Sequence, residues 1–151
     1  MVLYRIAKCQ YVDDLSGTGA RLYGGRWNSE GKPMLYLASS RSLAVLEVLV
    51  HLDPLIVPAN FCLAQIDVPN YSITELNPDL LPDNWQDVSG PVALRKLGDE
   101  FLKKQEYLAM RVPSAIVSAE YNYILNPLHP EAKNIKIVNK ESFSFDDRLL
   151  N

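Results

Sequence analysis

Three short segments hold the residue types that chemistry needs. The first is Gly24-Gly25-Arg26-Trp27-Asn28. Paired glycines let the backbone turn sharply and approach another group closely. Arg26, which follows them, can fork onto a phosphate or a carboxylate; the plainer alternative is a loop arginine stacked on Trp27. The second is Glu47, set in Leu43-Ala44-Val45-Leu46-Glu47-Val48-Leu49-Val50. A helix that is apolar all round is expected to be buried all round, and an unpaired carboxylate there costs several kcal/mol. Glu47 must therefore find a cationic or hydroxyl partner, as a structural pair, or open onto a pocket. His51 follows at i+4 and could share a metal with Glu47. The chain has only two histidines and no third ligand at a recognisable spacing, so no metal site is expected and His51 reads as a helix-end residue.

The third segment spans 112–127. A short apolar strand delivers Ser118 into a polar turn, and Asn122 and Asn126 flank apolar residues. Asparagines commonly tie turns to their own backbone, which is the structural alternative for this segment. A hydrolase built on Ser118 and His129 lacks the GxSxG elbow. No P-loop and no GxGxxG is present, so the usual nucleotide-binding signatures are missing.

These residues need elements to hold them. Alternation and turn signals place strands over 2–7, 34–38, 61–68, 107–112, 115–118, 135–138 and 143–145. Tyr36 then shares a face with Met34 and Ala38. A helix over 41–52 starts at Ser39 or Ser40 and ends before Pro54 and Pro58; a second, over 92–104, follows Ser89-Gly90-Pro91. Residues 13–33 and 77–91 read as long loops, which in a compact domain are often functional. Strands outnumber helices and come partly in succession, which predicts a single α+β domain with mixed or antiparallel sheets over 1–151.

Composition excludes several classes. With 151 residues the chain suits one domain. Its net charge of −3 argues against direct nucleic-acid binding. The 48% hydrophobic content argues against disorder. Cys9 and Cys62 sit in apolar stretches without a CxxC and read as two buried, reduced thiols. The N-terminus lacks the pattern of a signal peptide, and the longest apolar stretch is about half of a membrane span. No membrane association and a cytoplasmic location are expected.

Taken together and in order, these motifs resemble the RES domain. They are Gly19-Ala20-Arg21-Leu22-Tyr23-Gly24-Gly25-Arg26-Trp27-Asn28, then Gly31 and Pro33, Tyr36-Leu37-Ala38, Leu43-Ala44-Val45-Leu46-Glu47 and His51. Val112-Pro113-Ser114, Ser118, Asn122 and Asn126-Pro127-Leu128-His129-Pro130 match the family's C-terminal signature. The family is named for an Arg, a Glu and a Ser, which by position match Arg26, Glu47 and Ser118. The resemblance implies an ADP-ribosyltransferase-like fold and a bacterial toxin of a type II toxin–antitoxin pair. It also implies an Xre-type helix-turn-helix antitoxin as partner in a hetero-oligomer, and depletion of NAD as substrate with no further cofactor. The implied catalytic set is Arg26, Tyr36, Glu47 and Ser118; Arg26, Tyr36, Asn28 and Asn122 are implied to bind the dinucleotide.

The chemistry fits that implication. Cleaving the nicotinamide–ribose bond passes through an oxocarbenium-like state, as in glycoside hydrolysis. Nicotinamide leaves as a neutral ring, so negative charge near the ribose helps more than an acid does. An ionised Glu47 would supply that charge. Tyr36 would stack on nicotinamide, Arg26 would hold the pyrophosphate or ribose side, and Ser118 would orient Glu47 or a ribose hydroxyl. To keep Glu47 charged, Arg26 or a hydroxyl is expected beside it. The acceptor is open: water, phosphate, or a protein side chain in a mono-ADP-ribosyltransferase. A non-catalytic binding module, with Arg26 and Glu47 as a mere structural pair, is the alternative outside enzymes.

Overall fold

A computed structural model describes residues 1–150. Seven strands form one sheet: β1 (Val2–Lys8), β2 (Leu35–Ala38), β3 (Phe61–Asp67), β4 (Ile73–Glu75), β5 (Ala109–Pro113), β6 (Tyr121–Leu125) and β7 (Lys136–Phe143). Their spatial order is β4-β5-β6-β2-β1-β3-β7. β4 and β5 run parallel, and every other neighbouring pair is antiparallel. Three α-helices join them: α1 (Thr18–Tyr23), α2 (Arg41–Leu49) and α3 (Val92–Lys104). The fold is α+β with a mixed sheet, as the succession of strands implied.

Pairing along the sheet is uneven. β1 and β3 match over seven residue pairs and β2 and β6 over four, whereas β1 and β2 meet only at Tyr4 opposite Ala38. The sheet is thus nearly severed between β1 and β2. Side-chain alternation supplies a core to each face. Leu3, Leu35, Leu37, Ala64 and Ile66 pack into one cluster. On the other face Ile6, Ala38 and Leu63 meet Leu43 and Ala44 of α2, while Met34 and Ile124 meet Leu94, Phe101 and Leu102 of α3. Each fully buried side chain of this kind contributes about 1.5–3 kcal/mol.

The helix signals at 40–41 and 92–104 translate directly. Ser40 Oγ accepts the Leu43 amide at 3.1 Å and caps α2, a bond worth about 1 kcal/mol. α3 keeps the expected bounds. Four expectations change. α2 stops at Leu49, and only Leu43 and Ala44 are buried in it, so an all-apolar sequence yields a half-buried helix because one side borders a cavity. The loop over 13–33 contains α1. Residues 115–118 are bends and turn, not strand, whereas 121–125 form β6. The two strands expected over 135–145 are the single strand β7.

The cysteines also differ from expectation. Cys9 and Cys62 form a disulfide with a Cα–Cα distance of 4.9 Å. The antiparallel register sets Ala7 opposite Cys62, and the Cys9 amide bonds Asn60 O at 2.8 Å. That pairing brings together two thiols 53 residues apart, and it removes the thiol-based argument for a reducing compartment. No helix among the described residues is long and apolar enough to cross a membrane.

Candidate active site

A cavity of about 960 Å³ opens where β1 and β2 part, a volume in the range of small-molecule sites. Its walls include Tyr4–Ala7 of β1, Leu35–Ala38 of β2, the 17–27 segment, one side of α2, residues 88–90, and Pro113, Ala115 and Asn122. Both strands thus line the cavity at the place where they pair least.

Glu47 lies in this wall, in the last turn of α2. Its Oε1 accepts the Ser114 hydroxyl at 2.8 Å and Asn122 Nδ2 at 2.6 Å. Ser114 Oγ in turn accepts the Ile116 and Val117 amides, each at 3.1 Å. With both lone pairs engaged, the single hydroxyl hydrogen is committed to Glu47. Ser114 therefore holds the carboxylate and is not arranged as a nucleophile. No described residue hydrogen-bonds Oε2, so one carboxylate oxygen is tied down and the other is left for a ligand. Asn122 Oδ1 is buried without a partner. Flipping the amide would set two oxygens face to face, so the donation to Glu47 fixes its orientation.

Tyr36 adds its ring to the wall, and its hydroxyl is locked from behind. It donates to Asn28 Oδ1 at 2.6 Å and accepts the Trp27 amide at 3.0 Å. Burial pushes the phenol well above its ordinary range, so it stays a neutral donor. Asn28 is fully buried. Its Nδ2 donates to the carbonyls of Ala20 at 2.8 Å and Lys32 at 2.9 Å. Asn28 thus ties the loop to itself and positions Tyr36, and it does not line the cavity that holds Glu47.

Arg26 lines the cavity beside Gly90. It makes no bond to Glu47; its guanidinium donates to Trp85 O at 3.0 Å and Val88 O at 3.3 Å. The hydroxyl expected near Glu47 is present and the cation is not. The loop carrying Arg26 is seated on α3. Asp99 accepts the Ser29 amide at 2.9 Å and its hydroxyl at 2.6 Å. At Gly98 a Cβ would fall 1.6 Å from Trp27 O, so only glycine permits that approach.

Ser118 is exposed in the turn after β5, neither lining the cavity nor bonding Glu47. The serine at the carboxylate is Ser114, within the same quoted motif and four residues earlier. Arg5 was also missed. It projects from β1 into the cavity wall, donating to Val12 O at 3.4 Å and to Asp14 O. Burial pulls its guanidinium below the usual arginine range, against the fields of Asp14 and Asp13. A charged residue inside the apolar run Leu3-Tyr4-Arg5-Ile6-Ala7 was the available signal. His51 stands at the cavity wall near Glu47.

The cavity thus brings together a carboxylate clamped by two donors, two guanidinium groups and a tyrosine locked from behind. The chain matches the RES domain over residues 2–146 and belongs to that family. It is 42% identical to Toxin Res of Photorhabdus laumondii over 152 residues, covering 99% of this chain and 97% of that protein. It is 38% identical to the Prs ADP-ribosylating toxin of a Sphingobium species, covering 95% and 91%. A chain of the Mycobacterium tuberculosis MbcT–MbcA toxin–antitoxin complex has the same fold, with a TM-score of 0.77 at 19% identity, covering 95% of this chain and 84% of that one.

Proposed function

We propose that this RES-domain protein is the toxin of a toxin–antitoxin pair and acts by breaking the nicotinamide–ribose bond of NAD. One observation carries the chemistry: Glu47 is held through Oε1 by Ser114 and Asn122, at 2.8 and 2.6 Å, on the wall of the cavity. Two donors on one oxygen hold the carboxylate in place and leave Oε2 to face the ribose. As the C1′–N bond breaks, its electron pair moves to the pyridinium and neutral nicotinamide leaves. The cation at C1′ develops beside a fixed negative charge, a preorganised field of the kind that lowers such barriers. Tyr36 offers its ring to nicotinamide, and Arg5 and Arg26 offset the diphosphate charge that an acidic protein would repel.

Water as acceptor gives ADP-ribose and a proton; inorganic phosphate gives ADP-ribose phosphate. A second reading, transfer of ADP-ribose to a protein, is favoured by the printed name of the 38%-identical ADP-ribosylating relative. The toxin assignment rests on the family and on relatives named as toxins. The partner we propose is a helix-turn-helix antitoxin of the Xre type in a cytoplasmic hetero-oligomer; the toxin–antitoxin complex of the structural neighbour supports an antitoxin.

The deciding experiment incubates purified protein with NAD and resolves the products by chromatography, with and without phosphate and with and without lysate. Release of free nicotinamide with ADP-ribose or its phosphate supports cleavage to a small acceptor. Labelled protein appearing only with lysate supports the second reading. Unchanged NAD under every condition contradicts both.

A further inference from the structure

Arg26 sits between the cavity and a segment with little to hold it. Residues 85–90 cross beside the cavity mouth, and Val88, Ser89 and Gly90 line it. Gln86, Asp87, Val88 and Ser89 are exposed, with Val88 98% accessible. Apart from the half-buried Trp85, the segment has almost no apolar anchoring. Its backbone makes only local turn bonds, Trp85 N to Pro82 O at 3.1 Å and Asp87 N to Asn84 O and Gly90 N to Asp87 O, both at 3.0 Å.

Side-chain hydrogen bonds to other parts of the fold hold it instead. Arg26 reaches Trp85 O and Val88 O, Arg95 of α3 reaches Gly90 O at 3.1 Å, and Gln86 Nε2 reaches Ala115 O at 3.4 Å, in the turn that carries Ser114. Few buried contacts and exposed backbone place such a segment at the low end of local stability. A guanidinium has five N–H donors in a rigid fork. Two are engaged by the segment, which leaves three on a cation that also lines the cavity.

We infer that residues 85–90 are a strap whose closure is coupled to an anionic ligand through Arg26. A diphosphate in the cavity takes the free N–H groups, fixes the guanidinium, and so fixes the two carbonyls it holds; by linkage the closed strap tightens the ligand by the same factor. Arg26 is thereby a positioning residue for the strap as well as a ligand contact. The inference rests on reading the cavity as a dinucleotide site.

Hydrogen exchange of the full-length protein, with and without ADP-ribose, tests it, and ADP-ribose binding is measured in parallel by calorimetry. The expected result is slower exchange at 86–90 on binding, by about 5-fold or more, in the native protein. Arg26→Lys keeps the charge but not the fork, and is expected to lose that protection while remaining folded. Gly90 has φ 63°, and a Cβ there meets Arg26 only at van der Waals distance, 3.6 Å, so Gly90→Ala acts mainly by straining the strap backbone and is expected to raise KM more than it lowers kcat. Binding with unchanged exchange at 86–90, or equal protection in Arg26→Lys, overturns the strap and leaves the dinucleotide site standing. No binding of ADP-ribose overturns both.

Discussion

Replacing Ser114 with alanine separates the two serines in the C-terminal motif. Ser114 is 0% exposed, and its hydroxyl gives Glu47 one of two bonds, at 2.8 Å. A hydrogen bond to a charged group is worth about 1.5–3 kcal/mol. If that bond matters most when the oxocarbenium forms, its loss lowers kcat roughly 10- to 150-fold. Asn122 still donates to the same oxygen, which sets the result near the lower figure. The same change frees the amides of Ile116 and Val117. Their loss of a partner costs about 1–3 kcal/mol of stability, a fall in Tm of roughly 2–12 °C for a chain of this size. Ser118→Ala, at an exposed turn, changes stability by no more than about 0.5 kcal/mol and leaves turnover unchanged. Nicotinamide release and thermal unfolding of both variants provide the assay. Full activity in Ser114→Ala, or an equal loss in Ser118→Ala, refutes the assignment of the clamp.

Other outcomes follow from single features of the fold. The raised Tyr36 phenol pKa leaves stability unaffected below the unfolded value of about 10 and erodes it as pH climbs beyond. Denaturant titration above pH 10 is therefore expected to show a shallower decline for Tyr36→Phe than for the native chain. The Cys9–Cys62 bond closes a 53-residue separation, which chain-entropy reasoning values at about 4 kcal/mol. Thermal unfolding with and without reductant is expected to show that loss; ready alkylation of both thiols without reductant would disprove the pairing. Gly98→Ala sets a methyl against Trp27 O and is expected to destabilise by about 1–3 kcal/mol or more, with reduced turnover because the Arg26 loop is displaced.

How much the sequence disclosed depends on how local each signal was. Glu47 was conspicuous because a lone acid in an apolar helix needs a reason, and α3 was bounded by its own Pro91 and its period. The Asn28–Tyr36 bond spans eight residues, yet asparagine in a glycine-rich loop is equally suited to facing a ligand. Choosing Ser114 over Ser118 required the turn after β5, which alone decides which hydroxyl meets α2. β6 was obscured because Asn122 and Asn126 mimic turn residues, while their side chains are used at Glu47 and by the Leu102 carbonyl. The disulfide and the split both arise from the register of β1 against β3 and β2, a long-range property that no window of sequence contains. The strap at 85–90 has no period at all, since bonds to distant residues hold it.

The proposed cleavage depends above all on the negative charge of Glu47. Nicotinamide release from NAD by Glu47→Gln tests it most directly, because the amide keeps the shape and removes the charge. The variant is expected to stay folded, with a Tm near that of the native chain, and to release nicotinamide about 100- to 1,000-fold more slowly. Nicotinamide released at the native rate by that variant would contradict that dependence.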